Sequence, residues 1–333
     1  MAKEKVPHRQ TVRRYQLEKY TGKNSRHTCP NCGQKHTFAR YVDVTTGEHC
    51  GDDIGRCNRT ERCGYETSPK DYKGQDLYVP TNSVKKEYLE NNITNTIDSK
   101  YILKSMEMTD NNFFTFLYNT FDKDVVNKIL NRYKVGSDNL WKGATVFWQI
   151  DIDYDVRTGK IMLYHADSGK RVKEPYAHLS WAHVPDKRNK FGSIQDYNLT
   201  QCFFGEHLLN DDNITSFNVV ESEKTAILCS IANPDTYWIA TGGLQNINEE
   251  RLLPFKDKSL VFYPDKGKAF GIWEEKLKPF IGDYQIKVSK AIEKADNLKL
   301  TNNYGGDFIS ARSCCPTIKG AWVHRSEEHT SEL

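Results

Sequence analysis

Long hydrophobic runs are missing from this chain of 333 residues. No stretch approaches the roughly twenty consecutive apolar residues that a helix needs to cross a bilayer. The opening Met1-Ala2-Lys3-Glu4-Lys5 offers no apolar core for a secretion signal, so the expected location is the cytoplasm. A large charge of either sign is missing too: the formal net charge is only +3, with 27% of residues charged and a mean hydropathy of -0.71. That small charge is unevenly spread. Residues 1–75 carry 15 Lys and Arg against 9 Asp and Glu, a net of +6, which leaves −3 for the remainder. Either a contact with a polyanion in the first part of the chain or simply a soluble surface accounts for that excess. The length allows two or three domains.

Cysteine, by contrast, is plentiful, and two pairs have metal-ligand spacing. Cys29-Pro30-Asn31-Cys32-Gly33 places two thiols two residues apart, with a glycine for the tight turn, and Cys57 and Cys63 form a second, wider pair. Four thiolates suit tetrahedral structural Zn²⁺. A disulfide framework is disfavoured in a chain that otherwise looks cytosolic. Between the pairs, residues 37–44 alternate as a strand does and Thr45-Thr46-Gly47 reads as a turn, which together predict a β-ribbon. Cys50, His27, His36 and His49 are further donor types here, read as a spare thiol and surface histidines. Arg40, Arg56, Arg59 and Arg62, with Phe38, Tyr41 and Tyr65, are candidate cationic and stacking contacts to single-stranded nucleic acid. The alternative is a purely structural ribbon with solvated arginines. Residues 1–27 read as a basic arm, solvated or partly helical.

Residues 67–97 have the composition of a linker. From 98 to 133 the apolar spacing becomes helical, with helix starts expected at Thr109-Asp110 and at Asp122. Residues 135–183 read as antiparallel strands, with hairpin turns at Arg157-Thr158-Gly159 and at residues 167–171. Lys160, Lys170, Arg171 and Lys173 either line a nucleotide or template groove or sit on a charged hairpin facing water.

The stretch from Phe217 to Trp273 organises the remainder. Phe217-Asn218-Val219-Val220 runs into Glu221-Ser222-Glu223-Lys224, and Ser259-Leu260-Val261-Phe262-Tyr263 runs into Pro264-Asp265-Lys266-Gly267-Lys268. Each reads as a buried parallel strand delivering a carboxylate at its C-terminal edge. A helix from 223 to 231, a strand at 237–240 and a Thr241-Gly242-Gly243 turn lie between them. A helix is expected at 273–280 and a strand at 284–288.

This arrangement resembles the TOPRIM domain shared by bacterial primases, topoisomerases and related nucleases. Glu221 matches the glutamate of the family's first motif, and Asp265 the first aspartate of its Asp-x-Asp motif. Ser222 stands in place of the usual glycine, and Gly267 in place of the second aspartate. Cys29-Pro30-Asn31-Cys32 with Thr37-Phe38 is similar to the start of the bacterial primase zinc ribbon. Strings at Gly55 to Arg59, Gly159 to Met162 and Phe204 to Leu209 look like those of primase-like proteins carried on mobile genetic elements. The resemblance implies an α+β multidomain fold: a zinc β-ribbon, a mixed α/β middle region, and a TOPRIM-like α/β domain with a mainly parallel sheet. It implies Mg²⁺-dependent nucleotidyl transfer on single-stranded DNA, with Glu221 and Asp265 catalytic and metal-binding. Asp307 would be a weaker Mg²⁺ ligand, and Lys224 and Lys268 would be phosphate contacts. Nucleotides and a replicative helicase would be partners. A non-catalytic DNA-binding accessory protein and a TOPRIM nuclease remain alternatives.

The expected division is a basic arm at 1–27, ribbon at 28–66, linker at 67–97, primase-like middle region at 98–210 and TOPRIM-like domain at 211–312. Residues 325–333 read as a translated sequencing adapter, so the natural C-terminus is expected to differ.

Overall fold

A computed structural model describes residues 11–19, 22–59, 62–69, 78–80, 83–85, 88, 94–184 and 197–294. Asp307 and the adapter-like tail lie outside them. The chain divides into two compact units, Met1–Ile93 and Thr94–Leu333. The fold is α+β: antiparallel ribbon sheets in the first unit, an antiparallel and a parallel sheet with helices in the second.

In the first unit the strands are β1 (Thr11–Arg13), β2 (Tyr15–Leu17), β3 (Phe38–Asp43), β4 (Glu48–His49), β5 (Gly55–Cys57), β6 (Glu66–Thr67) and β7 (Tyr78–Pro80). They form a sheet in the order β2-β3-β5-β6, with β4 also on β3, and a separate β1-β7 pair. The segment read as a basic arm contributes β2, which pairs with Tyr41 to Asp43. Arg14 is bound to that sheet, its Nε 2.9 Å from Asp43 Oδ2. Likewise β7, in the expected linker, pairs with β1. Close approach of β5 to β3 requires Gly55, where an added Cβ would lie 2.1 Å from Ala39 O.

The second unit opens with helices α1 (Lys100–Glu107), α2 (Asn112–Thr120) and α3 (Lys123–Tyr133). Asp122 caps α3 as expected, accepting from Asp124 N and Val125 N. The cap of α2 is Asn111, accepting from Phe114 N, rather than Thr109-Asp110. Strands β8 (Gly136–Asp138), β9 (Ala144–Ile150), β10 (Val156–Met162) and β11 (Leu179–Trp181) form an antiparallel sheet ordered β11-β10-β9-β8.

One expected hairpin is displaced. Arg157-Thr158-Gly159 lies within β10, and the turn falls at Asp151–Asp155, where Asp151 N donates to Asp155 O and Asp151 Oδ1 accepts from Asp153 N and Asp155 N. Gly159 serves packing instead of turning: it pairs with Trp148, and a Cβ there would sit 2.8 Å from the indole.

The parallel sheet follows as β12 (Ser216–Val220), α4 (Glu223–Ala232), β13 (Trp238–Ala240), α5 (Glu249–Leu252), β14 (Ser259–Phe262), α6 (Lys268–Leu277) and β15 (Gln285–Val288). All pairings are parallel, in the order β13-β12-β14-β15. Helix α6 covers 268–277 rather than the expected 273–280, because the chain breaks at Gly267 (φ 90) and Pro279 cannot continue the α-helical ladder. Every residue of α4 from Glu223 to Ile231 is buried. Its apolar side chains share a core with Phe113, Phe116, Val126, Ile129 and Phe147 from α2, α3 and β9. A second core, around Phe217, Phe262 and Trp273, packs α6 against β12 and β14. Tyr133 ties the layers together, since its hydroxyl lies 2.9 Å from Ser230 Oγ and accepts from Trp238 N at 3.0 Å.

Candidate functional site

The ribbon gathers the four predicted cysteines. One sulfur each from Cys29, Cys32, Cys57 and Cys63 lies within 4.8 Å of the others. Local geometry explains the convergence: Gly33 (φ 66) closes the first knuckle by donating N–H to Cys29 O, and Cys63 N–H returns to Arg59 O in the second. That return accommodates the wider spacing. Burial pushes the Cys29 thiol up to about 11, while the Tyr65 N–H and the Asn31 amide pull Cys63 down to about 6. Arg59 Nη1 approaches Cys32 Sγ at 3.8 Å. Four crowded sulfurs, two of them buried, can be thiolates together only around a cation, and the set fits structural Zn²⁺.

The ribbon's candidate contact residues differ in availability. Arg56 and Arg62 are exposed, and Arg40 is half-buried with Nη2 2.9 Å from Asp52 Oδ1. Tyr41 and Tyr65 donate their hydroxyls to Glu66 and to Asp53 O. Phe38 is fully buried against Cys29, Cys57 and Tyr65, so it is a core residue and not a stacking platform.

In the second unit, β12 is followed by β13 on one side and β14 lies on its other side, so the sheet order reverses between β12 and β14. Crevices outside the carboxyl ends of strands at such a switch point are where open α/β sheets take ligands. Glu221 directly follows β12, and Tyr263 and Pro264 separate Asp265 from the end of β14. With Val219 level with Phe262, both residues leave the same edge on adjacent strands, which run about 4.8 Å apart. Both are half-buried. The Glu221 carbonyl is held by Gly242 N at 2.9 Å. Ser222, where the resemblance expects glycine, has ordinary extended geometry and caps α4 by accepting from Thr225 N.

Two predicted phosphate contacts lie elsewhere than expected. Lys160 is 8% exposed, with Nζ 2.9 Å from Glu223 Oε2 and 3.1 Å from Gly242 O. Its place on a continuous β10 turns it inward. Lys224 is 4% exposed and donates to Gly169 O at 2.9 Å. Both are buried cations satisfied by protein oxygens, not groove-lining groups. Lys170, Arg171 and Lys268 are exposed.

Other acidic groups escaped sequence reasoning. Glu293, beyond β15, accepts from Gly267 N–H, which places a carboxylate beside the position where the resemblance expects an aspartate. No motif surrounds Glu293 to signal it. Glu206, held up to about 8 by burial and then by the nearby Asp151, adjoins the Asp151–Arg157 ion pair. Gln149, 1% exposed near Gly242, has neither amide atom hydrogen-bonded among the described residues.

Comparison with known proteins gives two family matches. Residues 111–266 match a domain of unknown function, DUF6371, and residues 13–77 match a zinc beta-ribbon finger family. No curated protein matches the chain. Solved structures similar to it include primases. The primase fragment of the bacteriophage T7 primase-helicase protein is 9% identical, with 88% of this chain and 97% of that chain covered and a TM-score of 0.37. The Aquifex aeolicus primase, with zinc-binding and RNA polymerase domains, is 12% identical over 91% and 80%, with a TM-score of 0.35. A DnaG primase catalytic domain bound to ssDNA is 10% identical over 57% and 69%, with a TM-score of 0.36. Scores this low carry no functional argument. Among the described residues, no helix is long and apolar enough to cross a membrane.

Proposed function

We propose that this chain is a primase-like protein acting on single-stranded DNA, with Mg²⁺ held at the edge of a TOPRIM-like parallel sheet. The observation that carries this reading is the pair Glu221 and Asp265 on adjacent strands where the sheet order reverses. The donor set there is oxygen-only, which suits a hard cation such as Mg²⁺. Asp265 would hold the metal. Glu221 would share it or accept a proton from a primer hydroxyl, and Glu293 adds a third carboxylate near Gly267. When bound, Mg²⁺ supplies charge neutralisation at a transferring phosphoryl group. Exposed Lys268 and Lys266 beside the crevice offer phosphate contacts, and exposed Arg56 and Arg62 on the ribbon offer template contacts.

Gly267 favours a second reading, a non-catalytic DNA-binding protein in which the sheet survives as scaffold. The test is incubation of the zinc-loaded chain with a single-stranded template, labelled nucleotides and Mg²⁺. The catalytic reading expects labelled oligomers from the parent and none from Glu221→Gln or Asp265→Asn. A gel shift without synthesis, unchanged by both substitutions, establishes the accessory reading. Degradation of the template without nucleotides identifies a nuclease.

A further inference from the structure

We propose that the ribbon unit carries a second divalent-metal site, formed by Glu18, His27 and His49 and separate in its donors from the four cysteines. One ligand atom from each of the three lies within 4.8 Å of the others. A single carboxylate oxygen is the focus: Glu18 Oε2 is 2.9 Å from His27 Nε2 and 3.2 Å from His49 Nε2. The two imidazoles meet edge to face, with centroids 5.3 Å apart and planes at 84°, so each presents Nε2 to the same point without blocking the other.

The backbone holds this convergence in place. Glu18 N donates to Arg40 O, and His27 N donates to Phe38 O while His27 O accepts from Phe38 N. His49 lies on β4 opposite Val42. All three donors therefore hang on β3, the central strand of the sheet, from its two neighbours and a bridge. Such a frame pre-orients ligands at little entropic cost.

The donor chemistry selects the ion. Two imidazole nitrogens and one carboxylate oxygen suit Zn²⁺ or a similar borderline transition metal and are unlike the all-oxygen shell that Mg²⁺ prefers. An ionised carboxylate only accepts, so His27 Nε2, 2.9 Å from Glu18 Oε2, meets it as N–H. A divalent ion takes the Nε2 position with each ring keeping its proton on Nδ1, accepts one bond from each residue, and requires small side-chain adjustments to reach ligand bonds of about 2.0–2.2 Å. The side chains are 22% to 36% exposed, which leaves a fourth position open to water. The site is thus of the open, three-ligand kind, in contrast to the closed four-sulfur cluster.

Metal stoichiometry of the full chain decides the matter. The parent is stripped of metal under reducing conditions and titrated with Co²⁺ and, separately, Zn²⁺. With excess Mg²⁺ present to fill the all-oxygen site at the sheet edge, we expect two equivalents. One gives the intense thiolate-to-cobalt charge-transfer band of the cysteine cluster; the other adds ligand-field absorption without increasing that band. Glu18→Gln and His49→Asn should each retain the charge-transfer band, which reports an intact ribbon, and bind one equivalent. A parent that takes up a single equivalent overturns the proposal. So does retention of both equivalents by a variant whose charge-transfer band is intact. Should one substitution unfold the ribbon, the other, on a different strand, supplies the comparison.

Discussion

The buried pair between Lys160 and Glu223 invites a quantitative test, because it links the antiparallel sheet to the first turn of α4. Their side chains are 10% and 2% exposed. The ammonium has three oxygen partners: Glu223 Oε2 at 2.9 Å, Gly242 O at 3.1 Å and Glu223 Oε1 at 3.3 Å. Glu223→Gln keeps the shape and deletes the charge, so Lys160 faces a neutral amide while withdrawn from water. Removing one partner of such a pair costs about 3–5 kcal/mol, and each kcal/mol lowers Tm by about 2–4 °C in a unit of this size. The expected drop is therefore roughly 6–20 °C. Replacing both residues by methionine removes both charges together. It leaves the Gly242 carbonyl one donor short, at about 1–3 kcal/mol, and the gain from removing two buried charges is of similar size. The double variant should melt close to the parent. All six tryptophans lie beyond residue 93, so their fluorescence follows this unit alone. Should Glu223→Gln melt within about 2 °C of the parent, or the double variant melt as low as Glu223→Gln, the pair is not acting as described.

Three further outcomes are expected. Glu206 has a carboxyl raised from 4.5 to about 8, chiefly by burial, so the folded state binds its proton more tightly and stability falls as pH rises through that window. Glu206→Gln should raise Tm at pH 8.5 by the equivalent of up to about 5 kcal/mol and leave it nearly unchanged at about pH 4, below the unfolded value; melting curves across pH check this. Gly159→Ala would force a methyl to within 2.8 Å of Trp148 and 2.7 Å of Val146. It should destabilise by about 1–3 kcal/mol, read by denaturant titration of tryptophan fluorescence. Cys57→Ser leaves three of the four thiolates, so it should weaken the thiolate-to-cobalt band and lower the hydrogen-exchange protection of the amide that Cys57 donates to Tyr65 O.

Local patterns were the legible ones. Cys29-Pro30-Asn31-Cys32 announces a knuckle because its ligands are neighbours in the chain, and the apolar runs before Glu221 and Asp265 announce parallel strands because both faces are covered. What escaped depends on distant contacts. Arg157-Thr158-Gly159 looks like a turn until Trp148 is known to need the space over Gly159, and that error exposed Lys160 on paper when it is buried. Ser222 looked like a departure from a glycine motif, whereas a hydroxyl at that point caps α4. Glu293 and Glu18 stand in unremarkable surroundings, and only folding brings each to its neighbours. The basic N-terminal stretch likewise gave no alternation long enough to reveal β2.

Helix α4 has no outward face, and this sets where the chain can be cut. Its apolar residues are covered on one side by the parallel sheet and on the other by α2, α3 and β9. A fragment beginning at residue 211 would bare Ala226, Ile227 and Ile231 to water and strand the Glu223 carboxylate without its ammonium. A fragment ending at residue 210 would uncover Val126, Ile129 and Phe147 in turn. Neither half is a self-sufficient module, so recombination or truncation that respects this protein must carry residues 94–294 as one piece. The carboxylates at the sheet edge accordingly inherit their rigidity from helices more than eighty residues upstream.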